Sequence, residues 1–207
     1  MHIASTMPQG IFCPLPAVSN LEFCNFTYMC VRDPLAFEGA LRVPENLQDI
    51  VIPLLSLILD KVDTDDYIYV TVSRKHLQPN TCGNRAGWHV DGFLSDDQSF
   101  IWFDKLPTQI ALGGFEVSPD HEQSLEQFDA QVDYGNIQYT EPAMLYELKD
   151  CVHRPVFNHT NDVQLRTFVK IVISKERFNG IGNAWNYLLP HIKPTKQRGE
   201  SRNHTVV

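Results

Sequence analysis

Residues Gly87 to Phe93 read GWHVDGF and place a histidine and a carboxylate two positions apart, among glycines and large aromatics. In an extended chain residues i and i+2 point to the same face, so His89 and Asp91 project together while Val90 turns away. Such a pair suits a divalent cation, which needs at least a third ligand. The candidate is His153 in KDCVHRP, just after the apolar run MLYEL, where a two-sheet β fold would bring it beside the first two. Two imidazoles and one carboxylate on one side of a metal leave about half of an octahedron open to small molecules. The triplet alone carries little weight, because the His and Asp content of this chain yields roughly half of one HxD by chance.

A second feature adds to it. Arg166 opens the strand-like segment RTFVKIVIS, a short way downstream of His153. A 2-oxo acid that chelates a metal carries a distal carboxylate several ångströms away, and the planar guanidinium fork suits bidentate pairing with it. With His89-Val90-Asp91, His153 and Arg166 in this order, the chain resembles the Fe(II)/2-oxoglutarate-dependent dioxygenases. Their signature runs HxD, a long gap, His, then Arg, on a double-stranded β-helix. The resemblance spans about Tyr67 to Ser174 and points to no subfamily. It implies that His89, Asp91 and His153 hold Fe(II), and that Arg166 anchors 2-oxoglutarate. It further implies that O₂ is consumed, succinate and CO₂ are released, and a C–H bond of the substrate is hydroxylated. Some members continue the arginine as R-x-S, but here that position is Phe168, so a second carboxylate partner is expected elsewhere, at Tyr69 or Thr71 on the preceding strand. Alternation also puts Lys170 on the face of Arg166, an awkward place for a lysine in a buried interior. The same three ligands would equally serve a cupin-like isomerase or hydrolase using Zn or Mn. They would also sit on a jelly-roll binding protein without catalysis.

Other residues are weaker candidates for a substrate pocket. Trp88 and Trp102 would line it or fill the core, where large aromatics usually go. Asn84 and Arg85 lie in the loop that feeds the HVD segment, and Gln109 could face a cavity. His76, His121, His159 and His191 have no ligand spacing to the triad and read as surface or core residues.

These side chains need elements to hold them. Asn46 to Lys61 is too continuously apolar for a strand and reads as a buried supporting helix within residues 44–62, kinked or restarted at Pro53. YIYVTVS, Tyr67 to Ser73, is β-branched and aromatic, hence a strand. His76 to Gly87 reads as loop, and WHVD, FIWF (Phe100 to Phe103), QIAL (Gln109 to Leu112), MLYEL (Met144 to Leu148) and Arg166 to Ser174 as further strands. Between QIAL and MLYEL, SPDHEQSLEQFDAQV predicts a helix over residues 119–132, with Ser118 as cap and Pro119 in its first turn. It is expected to lie over the barrel mouth as a lid or to pack outside it. The fold class is therefore mainly β with supporting helices, a double-stranded β-helix (jelly-roll, cupin-like) core in one domain over residues 1–207. Residues 194–207 read as a mobile tail.

Composition agrees with a globular chain: 207 residues, 43% hydrophobic and 11% aromatic, can build a sizeable core. The start of the chain lacks the pattern of a signal peptide, and no apolar run approaches a membrane span, so a cytoplasmic protein without membrane contact is expected. Five cysteines without CxxC spacing read as reduced and mostly buried. Without a secretion signal, the N-x-T triplets at Asn25, Asn158 and Asn203 are chance matches. A net charge of −8 disfavours nucleic acid and favours a small-molecule or peptide substrate, although Arg74, Lys75 and Arg85 could form a local basic mouth. The sequence does not speak to oligomeric state.

Overall fold

The structure is a computed structural model that describes residues 1–83, 86–178, 180–192 and 196–197. Its largest element is a six-stranded antiparallel sheet. The strands are β1 His2–Ser5, β2 Gly10–Phe12, β3 Cys24–Arg32, β4 Tyr67–Leu77, β5 Gln98–Phe103, β6 Thr108–Ala111, β7 Gly113–Glu116, β8 Ile137–Tyr139, β9 Met144–Glu147, β10 His153–Pro155 and β11 Gln164–Ser174. The large sheet runs β2-β9-β5-β11-β4-β3, a smaller one runs β10-β6-β8, and β1 pairs with β7. Two antiparallel sheets enclosing a cavity make the jelly-roll that the strand pattern predicts.

Period-two alternation explains how the large sheet serves two layers at once. On β11, Val169, Ile171 and Ile173 enter the main core, while Arg166, Phe168, Lys170 and Val172 line the cavity. On β4, Ile68, Val70 and Val72 face the core, and Thr71, Ser73 and Lys75 face the cavity. The outer face is covered by helix α1, Glu45–Ser56, whose Leu47, Ile50, Val51, Leu54 and Leu55 are all buried, the three-and-four spacing of one helical face. Helix α1 is shorter than the span expected from sequence. Pro53 is held in its last turn, and after Ser56 the chain tightens into a single 3₁₀ turn at Leu59–Lys61.

Helix α2 is His121–Gln131, and its cap is Asp120 rather than Ser118, since the Asp120 carboxylate accepts from the backbone N–H of Glu122 and Gln123. It buries Phe128 in a second core with Trp88, Phe93 and Phe115. The WHVD segment is not a full strand. His89 forms one bridge to His153, and the chain then turns through Gly92, whose φ of +68° and close approach to the Asp97 carbonyl leave no room for a Cβ. Cys13, Cys24, Cys30 and Cys151 are free thiols, and Cys13, Cys30 and Cys151 are buried. Asn158 is buried and its amide donates to two backbone carbonyls, a structural use of that triplet. Asn203 and most of the expected tail lie outside the described residues. No helix among the described residues is long and apolar enough to cross a membrane.

Candidate metal centre

The bridge that replaces the expected strand is what brings the two histidines together. His89 and His153 exchange backbone N–H···O bonds of 3.0 and 2.9 Å, and their rings lie 4.4 Å apart. Each ring is then oriented by its own chain. His89 Nδ1 lies 3.0 Å from the Gly87 carbonyl and His153 Nδ1 lies 2.8 Å from the Cys151 carbonyl. A carbonyl only accepts, so each Nδ1 carries a proton and each Nε2 is left to face the cavity side, where it could ligate a metal. Both Nε2 atoms face the Asp91 carboxylate, with His89 Nε2 at 4.0 Å from Oδ1 and His153 Nε2 at 3.5 Å from Oδ2. One donor atom from each of the three residues falls within 4.8 Å of the others, a separation that a small cation could bridge.

Electrostatics keep His89 and Asp91 in their ligating forms. Burial, helped by the nearby His153, pushes His89 down to about 3, so its imidazole is neutral. For Asp91 burial acts upwards, but the Lys170 ammonium, His153 and His89 outweigh it and hold the carboxyl well below the usual range. The donor set of two imidazoles and one carboxylate fits a divalent first-row metal with open positions.

The triad opens onto a cavity of about 440 Å³ between the two sheets. Its far end is built from β11 and β4, where Arg166 pairs with Lys75 and Phe168 with Ser73 in the ladder. Arg166 is 4% exposed, its Nε donates to the Lys105 carbonyl at 2.9 Å, and the rings of Phe103 and Phe168 flank its guanidinium. Burial lowers it to about 10, still a cation at neutral pH. The Ser73 hydroxyl is buried against this cavity and has no hydrogen-bond partner among the described residues. A hydroxyl in that state is destabilising unless a ligand completes it.

The remaining sequence candidates fall in different places. Thr71 lines the cavity, but its Oγ1 already accepts from the backbone N–H of Tyr28. Tyr69 lies outside the cavity lining, with its hydroxyl bonded to the Phe178 N–H and the Glu176 carbonyl and its ring stacked on Tyr28. Trp88 is fully buried in the second core, and Trp102 is buried in the main core with its indole N–H on the Cys13 carbonyl. Gln109 faces the other side of the small sheet, where it bonds Arg154 and Tyr139. Asn84 and Arg85 lie outside the described residues. His121, set aside in the sequence, does line the cavity, along with Ser124, Leu125 and Phe128 of α2. The helical spacing of these residues was visible, but nothing in the sequence told which way their face would turn.

No protein-family model matches the chain, and no curated protein matches it. Among solved structures, EvdO2 from Micromonospora carbonacea var. aurantiaca complexed with 2-oxoglutarate is similar at 13% identity and a TM-score of 0.39, covering 81% of this chain and 67% of that one. EvdO2 without that description matches at 14% identity and a TM-score of 0.37, over 62% of this chain and 64% of that one. A third, described as the non-haem monooxygenase ThoJ in its apo form, matches at 13% identity and a TM-score of 0.32, over 61% of this chain and 52% of that one.

Proposed function

We propose that this protein is an Fe(II)- and 2-oxoglutarate-dependent oxygenase that hydroxylates, or otherwise oxidises, a C–H bond of a small substrate. The observation that carries the reading is the pair of histidines with both Nδ1 atoms tied to backbone carbonyls and both Nε2 atoms turned onto one ionised aspartate. Core histidines with a purely structural role have no need of two Nε2 atoms converging on one carboxylate beside a cavity.

His89, Asp91 and His153 would hold the metal. Fe(II) with 2-oxoglutarate supplies the oxidising power for inserting oxygen from O₂ into a C–H bond, with succinate and CO₂ as co-products. The chain's own part is positioning. Arg166 and the Ser73 hydroxyl, on neighbouring strands at the far end of the cavity, fit the distal carboxylate of the co-substrate; Lys75 adds charge at the rim. The guanidinium is pre-oriented by the Lys105 carbonyl and two aromatic rings, so little freedom is lost when it pairs. The three side chains are largely shielded between the two sheets, which strengthens each polar contact there.

The test is O₂-dependent succinate release from the purified protein given Fe(II) and 2-oxoglutarate. Even without substrate, slow uncoupled turnover is expected, lost in His153→Ala. Metal-dependent turnover of other compounds in the absence of O₂, with no succinate, would point instead to a Zn or Mn enzyme on the same ligands. Neither metal uptake nor turnover would leave a binding protein.

A further inference from the structure

Lys170 is the one residue at the metal centre that the reading above does not use, and its placement bears on the substrate. It sits on β11 four residues beyond Arg166, on the same face, which sets the two Cα atoms about 13 Å apart along the strand. Its ammonium lies 2.6 Å from Asp91 Oδ1, so it is at the metal end of the cavity, while Arg166 is at the far end. One cation therefore serves each end, and Lys170 is in no position to share the distal carboxylate with Arg166.

Charge balance sharpens the point. Among the described residues, the charged ones that line the cavity are Lys75, Arg166 and Lys170 against Asp91 and Asp97, one positive charge in excess within a protein of net charge −8. Loading a divalent metal together with dianionic 2-oxoglutarate adds nothing to this total, so the excess persists in the loaded site. An ammonium has three N–H donors. Asp91 takes one, and metal coordination would draw that carboxylate's charge away from the lysine. Phe93, Leu125 and Phe128 give the same cavity an apolar patch beside His121 and Ser124, with the two phenylalanine rings edge to face at 6.0 Å.

Resting on the oxygenase reading, we infer that the substrate is a small organic acid, whose carboxylate is held by Lys170 beside the metal and whose apolar body lies against Phe93, Leu125 and Phe128. A neutral or cationic compound would leave the lysine with no anion besides the metal-bound Asp91, and such under-compensated charge is a source of specificity against it.

The experiment uses the full chain loaded with Mn(II), which does not react with O₂, and with 2-oxoglutarate. Loading is checked first, and failure there would bring down the oxygenase reading itself. Matched acids, amides and amines on straight-chain and phenylalkyl scaffolds are then titrated, and binding near the metal is read from the broadening of their proton resonances by Mn(II). The acids are expected to bind at least about tenfold more tightly than their amides and amines. In Lys170→Met that advantage should fall by about tenfold or more, and in Lys170→Arg most of it should return. Amides or amines that match the acids in wild-type protein, or no binding by any acid, would overturn the inference even if Lys170→Met loads poorly. So would an acid preference that survives unchanged in loaded Lys170→Met.

Discussion

Replacing Ser73 by alanine should raise the stability of the ligand-free protein and lower its affinity for 2-oxoglutarate, two effects of opposite sign from one oxygen atom. The Ser73 hydroxyl is 4% exposed and has no partner among the described residues. Leaving a buried polar group unsatisfied costs about 1–3 kcal/mol, and alanine removes that penalty while deleting one small atom beside an existing cavity. A gain of about 1 kcal/mol would lift the melting temperature of a chain this size by roughly 2–4 °C. A hydrogen bond to a charged acceptor contributes about 1.5–3 kcal/mol, so loss of the bond to the distal carboxylate should weaken 2-oxoglutarate roughly 10- to 150-fold. Thermal unfolding without ligand and calorimetric titration of 2-oxoglutarate into the Mn(II)-loaded protein measure the two effects separately. A lower melting temperature would mean that the hydroxyl is satisfied in the free protein. Unchanged affinity would remove Ser73 from the co-substrate site.

Arg166→Met should keep the metal and lose 2-oxoglutarate by about 2–5 kcal/mol, the cost of breaking a buried charged pair; a normal visible band for the Fe(II)–2-oxoglutarate complex would assign the anchor to another residue. In the metal-free protein His89 is held down to about 3 against an ordinary 6.5, so between those values the unfolded chain binds a proton that the folded one does not. Stability from this group is complete above pH 6.5 and declines as pH falls towards 3, and His89→Gln should flatten the decline in denaturant melts. An identical slope in the variant would place the pH dependence elsewhere. If α2 is a lid, its amides should gain hydrogen-exchange protection when metal and 2-oxoglutarate bind; protection that is high at the outset and unmoved by ligand would make it a fixed wall.

The triad could be read in the sequence because its geometry depends on local spacing and strand order. His89 and Asp91 share a side even though their segment supplies one bridge and not a full strand. Ser73, proposed above as the second partner for the distal carboxylate, differs from the expected Tyr69 and Thr71 for a physical reason. Tyr69, Thr71 and Ser73 have the same parity on β4, and parity is all that alternation reveals. Which of them lies level with Arg166 depends on the ladder, where Ser73 faces Phe168 and Tyr69 faces Val172, and that register is set by packing across residues far apart in sequence. Strand β1 was equally hidden, since its four residues pair with β7 more than a hundred positions away. The position of α2 was readable to within two residues. Its cap was not, because SPD offers two good capping side chains and only the structure shows Asp120 accepting the two N–H groups.

The account depends most on His89, Asp91 and His153 forming one metal centre that also takes 2-oxoglutarate. Anaerobic titration of Fe(II) into the protein with 2-oxoglutarate present, followed by calorimetry and by visible absorption, tests it directly. One Fe(II) per chain should bind with growth of a metal-to-ligand charge-transfer band, and His89→Ala, Asp91→Ala and His153→Ala should each abolish both signals while remaining folded by circular dichroism. Full-affinity binding with a normal band in any one of these variants would contradict the assignment of that residue, and absence of both signals in the wild-type protein would contradict the centre as a whole.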